Sequence, residues 1–134
     1  MALKKGIKQL IADAEAKTKG ISAADAVAKL EDTNTVFVDL RDVRELERDG
    51  MIPGAFHAPR GMLEFWVDPA SPYYKDVFGS GKEFVFYCAS AWRSALATAV
   101  VQEMGLEPVC HVDGGFNGWK AGGGEVAARP KHEH

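Results

Sequence analysis

The chain has few cysteines, no surplus of positive charge and no long hydrophobic run. Its 134 residues include only two cysteines, Cys88 and Cys110, which is too few for a disulfide framework. The net charge of −3 disfavours a nucleic-acid partner, because no excess of cations neutralises a phosphate backbone. No segment approaches the roughly 20 apolar residues of a membrane span, and charges interrupt the N-terminal segment, unlike a signal peptide. We therefore expect a cytoplasmic protein with reduced thiols and with no membrane or nucleic-acid partner.

The sequence does contain short apolar runs that alternate with helical segments. Buried strands are predicted where β-branched and aromatic residues cluster, at 35–40, 83–87 and 108–112, with a brief extended piece within 51–59. Helices are predicted at 3–17, 23–30, 41–50, 94–105 and within 114–123, with short helical pieces over 61–78. This alternation predicts an α/β domain with a mainly parallel sheet and helices on both faces.

Cys88 directly follows the predicted strand 83–87, at the end of the strand where parallel sheets bind ligands. It opens the loop "CASAWR", after which a helix is predicted to begin near Ser94. Converging backbone N–H groups and the helix N-terminus should favour the thiolate, which is the reactive form. The alternative is that Cys88 is a small buried core residue, and this is the interpretation for Cys110, which lies inside a strand.

The spacing from Cys88 to Arg93 distinguishes two kinds of cysteine chemistry. Phosphatases that use a cysteine loop hold a tetrahedral phosphate within Cys-x5-Arg, whereas only four residues separate Cys88 from Arg93. The loop one residue shorter makes a smaller cradle, which suits a terminal sulfur atom better than a phosphate group. The small residues Ala89, Ser90 and Ala91 allow such a loop to curl without crowding.

Four segments in order resemble the single-domain rhodaneses, a thiosulfate sulfurtransferase-like family. "VDLRDVREL" resembles the family's Asp-x-Arg-x3-Glu stretch, with Asp39, Arg41 and Glu45 in place. "GMIPGAFHAP" resembles the signature "GHIPGA…P", with Met51 where the family usually has histidine. "YCASAWRS" resembles the six-residue active-site loop, and "VDGGFNGWKAGG" resembles the closing Gly-Gly-x3-Trp segment.

The resemblance implies a three-layer rhodanese-like fold with about five strands in the central sheet. It divides the chain into an N-terminal amphipathic helix extension at 1–19, a rhodanese-like domain at 20–126 and a flexible tail at 127–134. It implies no cofactor and no metal.

The implied reaction moves a sulfane sulfur from thiosulfate or a similar donor through a persulfide on Cys88. The acceptor would be cyanide or a thiol, including the thiol of a protein. Arg93 would hold the sulfonate of the donor, and the N–H groups of residues 89–93 would stabilise the persulfide. The hydroxyl of Ser90 or Ser94 would donate a further hydrogen bond, although Ser94 alternatively only caps the helix. Trp92 is expected to be a pocket wall, or else a solvent-facing aromatic residue.

Three residues are expected to support the site without taking part in the chemistry. Asp39 and Arg41 follow a strand and are expected to brace the active-site loop by an ion pair or hydrogen bonds. Arg60 either adds positive charge at the pocket mouth or is a solvated surface residue. The competing functions are a phosphatase or arsenate reductase of related fold, a binding module without chemistry, and a persulfide carrier with little thiosulfate activity.

Overall fold

The computed structural model describes residues 2–130 and consists of one parallel sheet covered by helices. The five strands are β1 (Gly20–Ile21), β2 (Thr35–Asp39), β3 (Phe56–His57), β4 (Glu83–Tyr87) and β5 (Val109–Val112). Their order across the sheet is β1-β5-β4-β2-β3, and every neighbouring pair is parallel. The predicted α/β fold with a parallel sheet of about five strands is therefore confirmed.

Within residues 2–130, six α-helices connect and cover the strands. They are α1 (Ile7–Lys17), α2 (Ala23–Ala28), α3 (Val43–Asp49), α4 (Leu63–Val67), α5 (Trp92–Met104) and α6 (Gly115–Ala121), with short 3-10 helices at Arg60–Met62 and Asp76–Gly79. No helix within residues 2–130 combines the length and the apolar character needed to cross a membrane.

The central strand β4 is buried on both faces, which gives the fold three layers. Val85 and Tyr87 point into one apolar cluster, which they share with α2 and α6. Phe84 and Phe86 point into a second cluster, which they share with α4 and α5. Side chains alternate across a strand, so a continuous apolar run such as 83–87 is what a strand covered on both faces requires.

Two backbone pairings were not revealed by the sequence. Strand β1 was not predicted, since two residues carry too little periodicity, yet Gly20 and Ile21 pair with β5. Ala127, which the sequence assigned to the tail, exchanges two backbone hydrogen bonds with Met51, at 2.8 and 2.9 Å. The rest of the predicted tail is described only to residue 130, so the prediction for 131–134 lies outside the described residues.

The start of α5 differs from the prediction in a way that matters for the site. The helix begins at Trp92, two residues before the predicted start near Ser94, and its N-cap residue is Ala91. Trp92 and Arg93 therefore belong to the first helical turn and not to the loop. The alternative in which Ser94 caps the helix is wrong, because Ser94 is the third helical residue and its hydroxyl donates to the carbonyl of Ala91 at 3.0 Å.

Candidate active site

Cys88 lies at the carboxyl end of the central strand β4, where the chain turns into α5. The register places Asp39 opposite Tyr87, so the residues that follow β2 and β4 meet at one edge of the sheet. Three residues, 89–91, connect Cys88 to the first turn of α5. Cys88 is only 1% exposed, whereas Ser90 and Trp92 in the same segment are exposed.

The Cys88 sulfur accepts hydrogen bonds from the loop that follows it and from the first turn of α5. Its Sγ accepts hydrogen bonds from the N–H groups of Ala91, at 3.2 Å, and Ser94, at 3.4 Å. The thiol in turn donates to Ser94 Oγ at 3.6 Å. Backbone N–H groups at a helix N-terminus stabilise negative charge. The loop is therefore arranged to stabilise a thiolate, or the terminal sulfur of a persulfide.

Ala91 has a backbone conformation that alanine rarely adopts. Its φ of 116° makes it the only residue other than glycine with positive φ among the described residues. This conformation directs the Ala91 N–H group onto the Cys88 sulfur. Such a conformation costs of order 1–3 kcal/mol and persists where the surrounding structure enforces it, which is common at active sites.

The N-terminus of α6 is hydrogen-bonded to the start of the active-site loop. Phe116 N–H donates to the carbonyl of Cys88 at 2.7 Å, and Asn117 N–H donates to the carbonyl of Ala89 at 3.1 Å. Gly115 makes this approach possible, since a Cβ there would lie 2.5 Å from the Cys88 carbonyl oxygen. The Gly-Gly segment thus brings α6 against the active-site loop.

Arg93 does not project freely toward the sulfur but forms an ion pair with Glu45. Its Nη1 and Nη2 atoms bind the two carboxylate oxygens of Glu45, on α3, at 2.7 and 3.0 Å. Hydrogen bonding to Glu45 raises the pKa of Arg93, and the nearby Cys88 sulfur adds to this rise. The charge of the guanidinium group is thus matched by a carboxylate. Its predicted role in holding a donor sulfonate stays a prediction.

Asp39 and Arg41 form an ion pair that is almost completely buried. Arg41 Nε and Nη2 donate to the two Asp39 oxygens at 3.0 and 2.8 Å, and Nη2 also donates to the Gly50 carbonyl at 2.7 Å. The guanidinium lies over the ring of Phe116, 4.3 Å from its centroid. The pair therefore reaches the active-site loop through Phe116, the residue whose N–H group binds the Cys88 carbonyl.

Other candidate residues lie away from the sulfur or are paired elsewhere. Arg60 forms an ion pair with Glu64 at 2.6 Å, and Trp92 is 56% exposed, which fits the solvent-facing alternative for its ring. Cys110 is buried in β5, as expected for a core residue, and this burial raises its pKa to about 11. Within residues 2–130, no three His, Cys, Asp or Glu side chains are grouped so that they could hold a metal ion.

Sequence reasoning assigned no role to two residues that shape this site. Glu45 was noted only as a motif match, yet it binds Arg93 across 48 positions of sequence. Gly115 was noted only as part of the Gly-Gly segment, yet its missing side chain admits the loop. A local signal for Glu45 did exist, because Asp42 and Glu45 form a capping box at the start of α3.

Comparison with known proteins identifies the family. The family model for the rhodanese-like domain matches residues 22–122. The chain belongs to the rhodanese-like domain family. Helix α1 precedes the matched region and packs on α5 of this rhodanese-like domain.

The domain is also similar to proteins with different described activities. A tRNA uridine(34) hydroxylase from Cronobacter sakazakii is 30% identical over 114 residues, which are 83% of this chain and 31% of that protein. The chain thus spans about a third of the length of the curated relatives it matches.

Two solved structures cover nearly the whole rhodanese-like chain. A Rhodopseudomonas palustris protein of unknown function, described as a possible tyrosine phosphatase, is 48% identical with a TM-score of 0.91, over 94% of this chain and 97% of that one. The polysulfide-sulfur transferase homodimer of Wolinella succinogenes is 27% identical with a TM-score of 0.68, over 95% of this chain and 90% of that one.

Proposed function

We propose that this rhodanese-like domain is a sulfurtransferase that carries sulfane sulfur as a persulfide on Cys88. The observation that carries the proposal is the pair of N–H groups, from Ala91 and Ser94, that point at the Cys88 sulfur at 3.2 and 3.4 Å. Fixed donors of this kind stabilise charge that develops during a reaction without needing to reorganise. The similarity to a polysulfide-sulfur transferase supports the same class of chemistry.

The first half-reaction loads the cysteine from a donor such as thiosulfate. The Cys88 thiolate attacks the outer sulfur atom and forms a new S–S bond. The bond between the outer sulfur and the sulfonate sulfur breaks, and its electron pair leaves with sulfite. The negative charge then lies on the terminal sulfur of the persulfide, which is where the loop N–H groups stabilise it.

The second half-reaction returns the cysteine to its starting state. A nucleophile such as cyanide attacks the outer persulfide sulfur and forms thiocyanate. The electron pair of the breaking S–S bond returns to Cys88 as a thiolate. No proton acceptor is needed in either step, provided that Cys88 begins as a thiolate.

Intact-protein mass spectrometry tests this function directly. The wild type, Cys88→Ser and Cys110→Ser are exposed briefly to thiosulfate and then to cyanide. We expect a gain of about one sulfur atom in the wild type and in Cys110→Ser, reversed by cyanide, and no gain in Cys88→Ser. A gain that survives in Cys88→Ser, or is lost in Cys110→Ser, would contradict the assignment of the nucleophile.

A persulfide carrier that loads from a partner is the second candidate function. The ring of Trp92, in the first helical turn after the Cys88 loop, is 56% exposed and favours it, because an exposed aromatic residue beside the thiol offers a contact for a partner protein. The length of the curated relatives, about three times that of this chain, fits a domain that serves a larger reaction. Slow loading by thiosulfate together with rapid transfer from a pre-formed protein persulfide would favour the carrier over the thiosulfate enzyme.

A phosphatase assay is a useful companion measurement, since one similar protein is described as a possible tyrosine phosphatase. The four residues between Cys88 and Arg93 make a small loop, and Arg93 is bound by Glu45. We therefore expect no Cys88-dependent hydrolysis of p-nitrophenyl phosphate. Hydrolysis that disappears in Cys88→Ser would replace the sulfurtransferase proposal.

A further inference from the structure

Three arginines at the carboxyl edge of the sheet each form an ion pair with a carboxylate. Arg41, which follows β2, binds Asp39, and Arg60, which follows β3, binds Glu64. Arg93, which follows β4, binds Glu45 through both carboxylate oxygens. A donor that approaches Cys88 therefore meets arginines that are already paired with carboxylates. A free cation would help the reaction, because the donor and the thiolate are both anions that repel each other.

Glu45 is held in place independently of Arg93. Its Oε1 atom also accepts a hydrogen bond from Asp42 N–H at 3.3 Å, as part of the capping box of α3. Hydrogen bonds from Arg93 lower the pKa of Glu45, so the carboxylate is charged at neutral pH. A sulfonate that binds Arg93 must then either displace this fixed carboxylate or share the guanidinium with it.

The cost of that competition depends on the charge of the donor. Thiosulfate has two negative charges, whereas an organic thiosulfonate or a persulfide has one on its sulfur-bearing group. Glu45 repels the dianion about twice as strongly as the monoanion, because the Coulomb energy is proportional to the product of the charges. The difference between the two donors amounts to one unit charge interacting with Glu45.

We infer that Glu45 determines donor specificity by charge, so that the site favours monoanionic sulfane donors over dianionic thiosulfate. This inference rests on the proposed function and names the class of donor that the site takes. Glu45 acts here through Arg93 and through its own charge, and it is a positioning residue with no contact to the reacting sulfur.

The test compares two donors that differ by one charge. Thiosulfate and the methanethiosulfonate anion deliver the same outer sulfur atom, with sulfite and methanesulfinate as the respective leaving groups. The second-order rate constant for persulfide formation on Cys88 is measured with each donor by quenched intact-protein mass spectrometry. The ratio of the two constants is then compared between the wild type and Glu45→Gln, so that the intrinsic reactivity of each donor cancels.

Glutamine at position 45 removes the charge and preserves the capping box, which accepts either residue. Glu103→Gln is the matched control, since it makes the same change of net charge ten residues beyond Arg93 on α5, about 15 Å along the helix. Urea unfolding of both variants verifies that the fold is intact.

We expect Glu45→Gln to raise the thiosulfate rate constant about tenfold relative to that of methanethiosulfonate. This is the effect of removing one unit charge at roughly 6 Å from the extra charge of thiosulfate, at an effective dielectric constant of about 40. The shift should shrink as ionic strength rises, and Glu103→Gln should leave the ratio unchanged.

Three outcomes would overturn the inference, and they can be told apart. If both rate constants in Glu45→Gln change by the same factor, Glu45 orders the site without selecting by charge. If thiosulfate alone becomes slower, Arg93 needs Glu45 in order to hold the dianion. If neither donor adds sulfur to the wild-type protein, the proposed function is wrong, and the inference that rests on it is wrong as well.

Discussion

Replacing Gly115 by alanine tests whether α6 sets the position of the Cys88 loop. An alanine Cβ at this position would lie 2.5 Å from the Cys88 carbonyl oxygen and 2.8 Å from both the carbonyl carbon and oxygen of Ala89. These are backbone atoms, which cannot rotate away as a flexible side chain would. The helix and the loop must therefore separate for the methyl group to fit.

The expected loss of stability combines strain with lost hydrogen bonds. Gly115 has a φ of +57°, and a non-glycine residue in this left-handed region costs about 1–2 kcal/mol. Separation also weakens the bonds from Phe116 and Asn117 N–H to the loop carbonyls, each with a net contribution of about 1 kcal/mol. With the residual steric clash, Gly115→Ala should lower the free energy of unfolding by about 3–5 kcal/mol.

Urea denaturation measures this loss, with Gly61→Ala as the matched control. A Cβ at Gly61 meets no heavy atom within 4 Å, so that variant should stay within about 0.5 kcal/mol of the wild type. The folded fraction of Gly115→Ala should also acquire sulfur from thiosulfate more slowly, since the loop N–H groups no longer converge on the thiol. A loss below about 1 kcal/mol, or an equal loss in both variants, would refute the argument that the close contact at Gly115 supports the site.

Three further perturbations address the loop and its surroundings. Arg41→Met should lower the free energy of unfolding in urea by about 3–5 kcal/mol, because it leaves the buried Asp39 carboxylate unpaired. The double variant Asp39→Asn/Arg41→Met should lose clearly less than the sum of the losses in Asp39→Asn and Arg41→Met. A double-variant loss equal to that sum would contradict the argument. Ala91→Gly should raise the free energy of unfolding by roughly 0.5–1 kcal/mol, since it relieves the positive φ at a smaller entropic cost; thermal unfolding shows this as a higher Tm, and a lower Tm would argue against strain. Burial lowers the pKa of His111 in the folded protein. As the pH falls, His111 is therefore protonated in the unfolded chain at a higher pH than in the folded protein. The free energy of unfolding should fall as the pH drops through about 6.5 toward the lowered pKa. The difference in unfolding free energy between the wild type and His111→Gln should therefore shrink from pH 7.5 to pH 5.5, and a constant difference would show that His111 is not responsible.

The elements that the sequence predicted well are those with strong local patterns. Strands β2 and β4 are continuous apolar runs of β-branched and aromatic residues, and such runs suit a strand covered on both faces. Strand β1 was not predicted, because two residues are too few to show the alternating pattern of a strand. Its place in the sheet depends on pairing with β5, some 90 positions further along the chain. Pairing over that distance is a property of the fold and has no local signal.

The start of α5 shows how a local rule fails at a strained position. The prediction placed the helix start near Ser94 because a run of strong helix formers begins there. The helix instead begins after Ala91, whose positive φ turns the chain without any side-chain cap. Alanine gives no signal for such a conformation, whereas glycine at this position would have suggested it.

The environment of Arg93 is the part of the site that local reasoning could least anticipate. Its place five residues after Cys88 suggested a cation available to the donor, but its partner Glu45 lies 48 residues earlier in the chain. With that cation paired, the groups aimed at the Cys88 sulfur are chiefly backbone N–H groups, from Ala91 and Ser94. Backbone donors do not depend on the identity of the side chains that bear them, so small residues such as Ala89 and Ser90 suffice in the loop. Selectivity between donors must then come from charged residues around the loop, and Glu45 is the carboxylate that structure and sequence hold in position to provide it.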